Sequence, residues 1–381
     1  MGEPMTATTA GGGFFPSLDA LEVVLWPTLV LAVFVCTAIA GDLVVALAAR
    51  WRMLHRPARQ TGHALPTARG GGVVVAAATT CAALLLAWRW PTDRPAILTG
   101  VLVPSVVVAI TGLLADSRRL PALARLATEV VVAAWVTATL GPLATIVLPG
   151  APPLALGSLA WPVTMLWILV VIESLAALDH VDGMVALTGV IGGTVALVSG
   201  WMIGSSVVVL LAAFVAAAAG GLLVFNWDPS RIVMGRSGSG FVATMLAAIP
   251  LAFQPADARS SLLVPMVLCL WPLIVDLLVS IPFRIGGRAA SSGERALLLI
   301  DRLTRAGATH AQAVLLYGTL AAACGLAGVW ACGEPTSAVS VFLPPLAIMI
   351  APALVAGAVL WLRARPPAVE PGADEPAATL P

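Results

Sequence analysis

VVVAAWVTATLGPLATIVLPGAPPLALGSLAWPVTMLWILVVI, residues 130–172, runs for 43 residues without an Asp, Glu, Lys or Arg. A hydrocarbon core about 30 Å thick takes about 20 apolar residues per helical crossing, so this run is long enough for two. Pro149, Pro152 and Pro153 divide it, because proline breaks a helix interior. Outward from this stretch the same reading repeats. Residues 23–41, 70–88, 95–115, 183–227, 306–333 and 335–362 also lack charge. The whole chain of 381 residues is 60% hydrophobic and 10% charged, whereas an ordinary soluble domain carries about 25% charged residues. The composition excludes a water-soluble globule and implies an all-α, polytopic membrane protein.

Punctuation at Pro, Gly and charge clusters predicts about eleven crossings, near 21–49, 71–89, 96–115, 124–147, 161–178, 185–201, 205–224, 239–253, 262–283, 312–332 and 339–362. The first residues are Gly/Thr-rich with no basic stretch, so the first apolar run is expected to stay as a helix rather than to be cleaved. Residues 1–20 read as a flexible segment, 21–362 as one transmembrane domain, and 363–381 as a disordered Pro/Ala/Glu-rich tail. Arginine sets the orientation. With the N-terminus outside and the C-terminus cytoplasmic, 17 Arg fall on the cytoplasmic side and only Arg89, Arg94 and Arg259 on the other. The net charge of +1 points to no nucleic-acid partner. Cys36, Cys81, Cys269, Cys324 and Cys332 lie in apolar runs without CxxC spacing and read as small buried residues. No internal repeat of the kind that builds secondary transporters is visible.

Every chemically complex segment falls on the predicted cytoplasmic side: HALPTARGGG (63–72), ADSRRLP (115–121), ESLAALDHVDGM (173–184), FNWDPSRIVMGRSGSG (225–240) and PLIVDLLVSIPFR (272–284). Ionisable groups in or bordering a membrane are functional candidates by default. Asp179 and Asp182 are three apart and would share a helix face, suiting a divalent cation or a general base, or simply a solvated helix end. Asp276 lies about two turns inside its helix and needs a partner, either a ligand or another helix. Glu129 and Glu173 read as structural polar contacts. GRSGSG (235–240) opens a helix after an Arg, a combination that can hold an anion or merely cap the helix. RGGG (69–72) suits either close helix packing or approach to a phosphate.

Taken together and in order, these segments resemble the MraY/WecA superfamily of polyprenyl-phosphate sugar-1-phosphate transferases, glycosyltransferase family 4. They look closest to its O-antigen-initiating branch, which handles FucNAc- or QuiNAc-type sugars. PTARGGGVVV is similar to the family's first cytoplasmic loop, Pro-Thr-Pro-Arg-Gly-Gly. GLLADSRRLPALARLATEVVVA (112–133) resembles its Gly-Leu-(Leu/Ile)-Asp-Asp segment, and LDHVDGM (178–184) its Asp-Gly-(Ile/Leu)-Asp-Gly motif. FNWDPSRIVMGRSGSGF (225–241) is similar to its Asn-Trp-Pro-Pro segment ending in Met-Gly-Asp, and RAGATHAQAVLLYG (305–318) resembles the end of its last large cytoplasmic loop. The resemblance spans roughly residues 21–362 and implies the family's eleven-helix topology.

The resemblance implies transfer of an N-acetyl-sugar-1-phosphate from a UDP-sugar to polyprenyl phosphate, with release of UMP, at the start of cell-envelope glycan synthesis. It implies Mg2+, a multi-pass location in a bacterial inner (plasma) membrane, contact with membrane lipid, and a homodimer. It places Asp116, Asp179 and Asp182 in catalysis, with Asp116 and Asp182 as metal ligands. Arg69, Asn226, Arg231, Arg236, Ser237 and Asp276 are its candidate substrate-binding residues. Several positions depart from the pattern. The paired Asp of the third crossing is Ala115-Asp116, and the family's two Asn fall on Glu173 and Ala176. The Gly of the Asp-Gly motif is His180, the Asp of Met-Gly-Asp is Arg236, and no His stands near Arg295 and Leu298. These departures raise a rival expectation: a catalytically inactive or regulatory paralogue that keeps the fold and lipid-phosphate binding.

Overall fold

A computed structural model describes residues 20–50, 67–89, 98–118, 120–146, 154–252, 262–285 and 298–333. Eleven α-helices carry the described chain: α1 (Ala20–Arg50), α2 (Gly71–Arg89), α3 (Val103–Arg118, entered through a π-helical turn at Leu98–Leu102), α4 (Ala122–Leu140), α5 (Ala160–Leu178), α6 (Met184–Met202), α7 (Ser206–Asn226), α8 (Gly235–Ala248), α9 (Leu263–Ile285), α10 (Leu299–Arg305) and α11 (His310–Gly333). Among the described residues, nine helices are long and apolar enough to cross a membrane: all of these except α8 and α10. Their outward faces expose Leu31, Ile39, Trp88, Val131 and Leu166. Large apolar side chains on the outside of a folded chain require an apolar solvent, which is the signature of a lipid-facing bundle.

The expected crossing at 239–253 is, in the structure, the 14-residue α8 followed by a short 3-10 turn. At 1.5 Å per residue α8 is about 21 Å long, short of the about 30 Å hydrocarbon layer. Every residue from Ser237 to Ala248 is buried. α8 is therefore the axis of the bundle, packed by α2, α3 and α5. Hydropathy reads a helix buried in protein and a helix buried in lipid alike. The expected crossing at 339–362, the flexible segment before residue 20 and the tail at 363–381 lie outside the described residues.

Small residues make this core possible. A methyl group on Gly72 of α2 would run into the Gly238 backbone of α8, and one on Gly112 of α3 would come within 2.5 Å of the Arg236 carbonyl oxygen. Close helix packing is thus the use the structure makes of RGGG. Two short parallel strands tie the same regions together, β1 (Ala68–Arg69) pairing with β4 (Ile232–Val233) in the register Ala68 to Ile232 and Arg69 to Val233. A second pair, β2 (Thr145–Ile146) and β3 (Leu154–Ala155), is antiparallel. Cys269 and Cys324 are buried as expected, but Cys36 and Cys81 are exposed on outward faces of α1 and α2. Their helices are amphipathic toward lipid rather than water, so hydropathy alone gives no inward direction.

Candidate functional site

Three helix ends meet beside the β1–β4 ribbon. α3 closes with Asp116, α5 ends at Leu178 with Asp179 as its next residue, and α8 begins at Gly235. The start of a helix presents amide N–H groups with no partner inside the helix, and these carry partial positive charge. The carboxylates lie where this charge is. The Arg236 amide donates to Asp116 Oδ2 at 3.0 Å, and the Gly235 amide is near enough to Asp179 to favour its charged form. Gly235 has φ +74°, which favours glycine, and a Cβ there would lie 2.8 Å from Asp116 Oδ2. The carboxylate can close on the helix start only because residue 235 has no side chain.

Asp179 keeps one oxygen, Oδ1, buried and without a hydrogen-bond partner among the described residues. Burial and then the neighbouring Asp116 charge push its carboxyl up to about 7, against the opposing pull of Arg236, His180 and the Gly235 amide. A carboxyl poised near neutrality with a vacant oxygen is suited to exchange a proton with a bound group. The Arg236 guanidinium acts on Asp179 and also on Glu129 of α4. Glu129 is buried, lies 3.6 Å from Arg125 Nε, and faces Glu173 of α5 within side-chain reach. The two acids expected to be structural contacts thus pair with each other beside Arg236.

The structure brings Asp116, Asp179 and Arg236 together and sends the other candidates elsewhere. Buried Asp182 accepts the Ser230 amide at 3.4 Å, holding the 227–231 loop. Asn226 accepts the Gly183 amide at 3.2 Å and donates to the Ile232 carbonyl at 2.8 Å, tying the α5–α6 turn to β4. Arg231 is exposed; its guanidinium lies 3.9 Å from Asp42 of α1 and 5.6 Å from the Phe225 ring centre. Ser237 is buried where α8 meets Gly112. The Arg69 backbone pairs with Val233, while its side chain lies outside the described residues. Asp276, fully buried in α9, accepts the amides of Leu299 and Ile300 and the Tyr317 hydroxyl, the last at 2.8 Å.

Sequence reasoning missed one contact. His180 Nε2 meets Asp301 Oδ1 of α10 at 2.7 Å, while its Nδ1 meets the Ala177 carbonyl at 2.9 Å. Burial alone would lower the His180 pKa, but the Asp301 bond and charge outweigh it and hold it above the ordinary value. Burial would likewise raise Asp301, and the His180 bond overrides it and holds that carboxyl below its usual range. The partners are 121 residues apart, so no local pattern could have joined them. The one available signal was His180 itself, a titratable side chain where the family resemblance has Gly.

The Mg2+ implied by the resemblance fits these residues poorly. Among the described residues no group of three His, Cys, Asp or Glu side chains is placed to hold a metal ion. Asp116 accepts an amide of α8, and a guanidinium stands near Asp179. A divalent ion about 5 Å from a guanidinium is repelled by about 7 kcal/mol at an effective dielectric near 20.

Residues 98–254 match the sequence profile of Glycosyl transferase family 4, a window that contains Asp116, Asp179 and Arg236 and leaves Arg69 and Asp276 outside. Two relatives extend the likeness. A Bacillus subtilis protein named "probable undecaprenyl-phosphate N-acetylglucosaminyl 1-phosphate transferase" is 24% identical over 221 residues, covering 58% of this chain and 62% of that protein. A Streptomyces coelicolor protein, named only as a glycosyltransferase, is 31% identical over 259 residues, covering 64% of this chain and 57% of the relative. The chain therefore spans less than two thirds of the length of either relative. These likenesses support the superfamily resemblance read from the motifs.

Proposed function

We propose that this chain is a multi-pass membrane transferase of the MraY/WecA type, moving a sugar-1-phosphate from a UDP-sugar to polyprenyl phosphate. The observation that carries the reading is the meeting of Asp116, Asp179 and Arg236 at the half-buried start of α8, inside the stretch that matches Glycosyl transferase family 4. In the proposed reaction a lipid-phosphate oxygen attacks the β-phosphorus of the UDP-sugar. The new phosphorus–oxygen bond forms as the bond to the UMP oxygen breaks, and UMP departs. Asp179 takes the proton of the lipid phosphate, which its position near pH 7 allows. Asp116 holds α8 in place, and Arg236 lies where negative charge gathers. Arg69 and Arg231, carried by the sequence motifs, are proposed to attract the substrates' phosphates. Asn226, Ser237, Asp182 and Asp276 hold the scaffold, since their known bonds go to backbone or to neighbouring helices.

The proposed donor is a UDP-N-acetylhexosamine. The resemblance to FucNAc- and QuiNAc-handling proteins and the printed name of the B. subtilis relative agree on the N-acetyl group and differ on the sugar. We place the N-terminus outside and the site at the cytoplasmic face of a bacterial inner membrane, supported by the 17-to-3 distribution of Arg. The test is a membrane assay with radiolabelled UDP-GlcNAc, UDP-FucNAc or UDP-QuiNAc and undecaprenyl or decaprenyl phosphate. Lipid-linked product that vanishes in Asp179→Asn supports the reading. A second reading, a paralogue that binds lipid phosphate without turnover, is favoured by Arg236 standing in place of a carboxylate. It predicts retained binding of polyprenyl phosphate and no product with any donor.

A further inference from the structure

Any transfer between two phosphate groups needs positive charge at the point where they meet. The residues at the start of α8 show where this chain keeps it. Asp116 Oδ2 accepts the Arg236 amide, and Asp179 lies beside the Gly235 amide. Asp116 therefore anchors the helix N-terminus, a role that fixes its geometry around a peptide N–H group, and Asp179 sits against the same helix end. The Arg236 side chain lies within the influence of Asp179 and Glu129, yet it forms no ion pair among the described residues. Glu129 of α4 and Asp179 just past α5 face the guanidinium, and Asp116 holds its backbone amide. Glu173 adds a fourth acid, paired with Glu129. The planar fork thus keeps N–H donors for an oxygen-rich ligand, which it can engage through two parallel bonds.

We infer that Arg236 supplies the positive charge of this site, holding a diphosphate directly, and that the site works without a bound divalent cation. The inference rests on the transferase reading for its biological meaning, but its binding test does not.

The test uses the full-length protein in detergent, with Mn2+ and inorganic pyrophosphate as separate probes. Electron paramagnetic resonance of free Mn2+ should detect no stoichiometric binding to the wild type at submillimolar ion. Calorimetry in EDTA should detect pyrophosphate binding that falls about tenfold or more in Arg236→Ala, the loss expected for a charge-assisted contact. Arg236→Lys should lie between them, because it keeps the charge and loses the fork. Arg236→Asp should raise Mn2+ affinity by at least about tenfold, since repulsion is exchanged for a carboxylate ligand. Stoichiometric Mn2+ binding to the wild type that is lost in Asp116→Asn would overturn the inference, and this readout does not depend on any Arg236 variant folding. Pyrophosphate binding that is absent, or equal in wild type and a folded Arg236→Ala, would also overturn it. If pyrophosphate binds through Arg236 in EDTA but no UDP-sugar gives lipid-linked product, the transferase reading fails and this one stands. Turnover that stops in EDTA and returns with Mg2+ does the reverse.

Discussion

Asp276 and Asp179 are both acids in or at the end of apolar helices, and their hydrogen bonding separates them. Asp276 is fully buried and receives two amides of α10 and the Tyr317 hydroxyl, so its lone pairs are directed at the scaffold. Asp179 lies beside the Gly235 amide and a second acid, and keeps Oδ1 buried with no partner among the described residues. A buried carboxylate surrounded by donors is a fastening; one left short of donors is poised for a ligand or a proton. The contrast separates positions whose donors the sequence does not reveal, Asp276 inside an apolar helix and Asp179 three residues before Asp182 at the end of one.

The largest expected effect tests the unsatisfied side. Asp179→Asn removes the proton acceptor and should cut transfer by about 10²- to 10⁴-fold, with the unfolding midpoint in detergent no lower than wild type. The pH dependence follows from the same group. Folded Asp179 titrates near 7 and its ordinary value is 3.8, so between them the folded chain binds the additional proton. Stability should fall as pH rises from about 4 to about 7 and then level off, while transfer rate rises through the same upper limit. Asp179→Asn should flatten both slopes.

The satisfied side should respond in the opposite sense. Asp276→Ala strands two amides and the Tyr317 hydroxyl in the core and should cost about 3 kcal/mol of stability, read by thermal unfolding. Per folded molecule, transfer should change little. A variant that keeps its stability but loses transfer would erase the contrast between the two acids.

Gly72→Ala comes next. Its methyl group meets the Gly238 backbone, and overpacking of this kind costs about 1–3 kcal/mol. Part of the penalty should surface as weaker pyrophosphate binding, because α2 would push α8 away from Asp116 and Asp179.

The smallest effect belongs to His180. Its bond to Asp301 is half-exposed, and such pairs contribute about 1 kcal/mol or less. The raised His180 pKa means its share is complete below about pH 6.5 and is lost as pH rises beyond it. The lowered Asp301 pKa means its share is complete above about 3.8 and is lost in stronger acid. His180→Gln should therefore lower the unfolding midpoint slightly at pH 5–6 and not at pH 8.

The helical bundle was largely legible in the sequence because uncharged runs about 20 residues long have few alternatives. α8 was legible as a helix but not as an interior one, since residues 239–253 form an uncharged apolar run like those of the crossings. The RGGG reading stayed open until Gly72 was seen against Gly238. The candidate site was legible only through collinear motifs. Asp116 and Arg236 are 120 residues apart, and neither hydropathy nor spacing brings them together. The roles of Asp182, Asn226 and Asp276 were not legible, because a motif records residue types and not which backbone amides they meet.

The most direct test of the account is transfer of radiolabelled N-acetylhexosamine-1-phosphate to polyprenyl phosphate by the purified chain in EDTA, wild type against Asp179→Asn and Arg236→Ala. The account predicts lipid-linked product from the wild type without divalent cation, and a loss of at least about a hundredfold in each variant. Product only when Mg2+ is restored, or undiminished product from either variant, would contradict it.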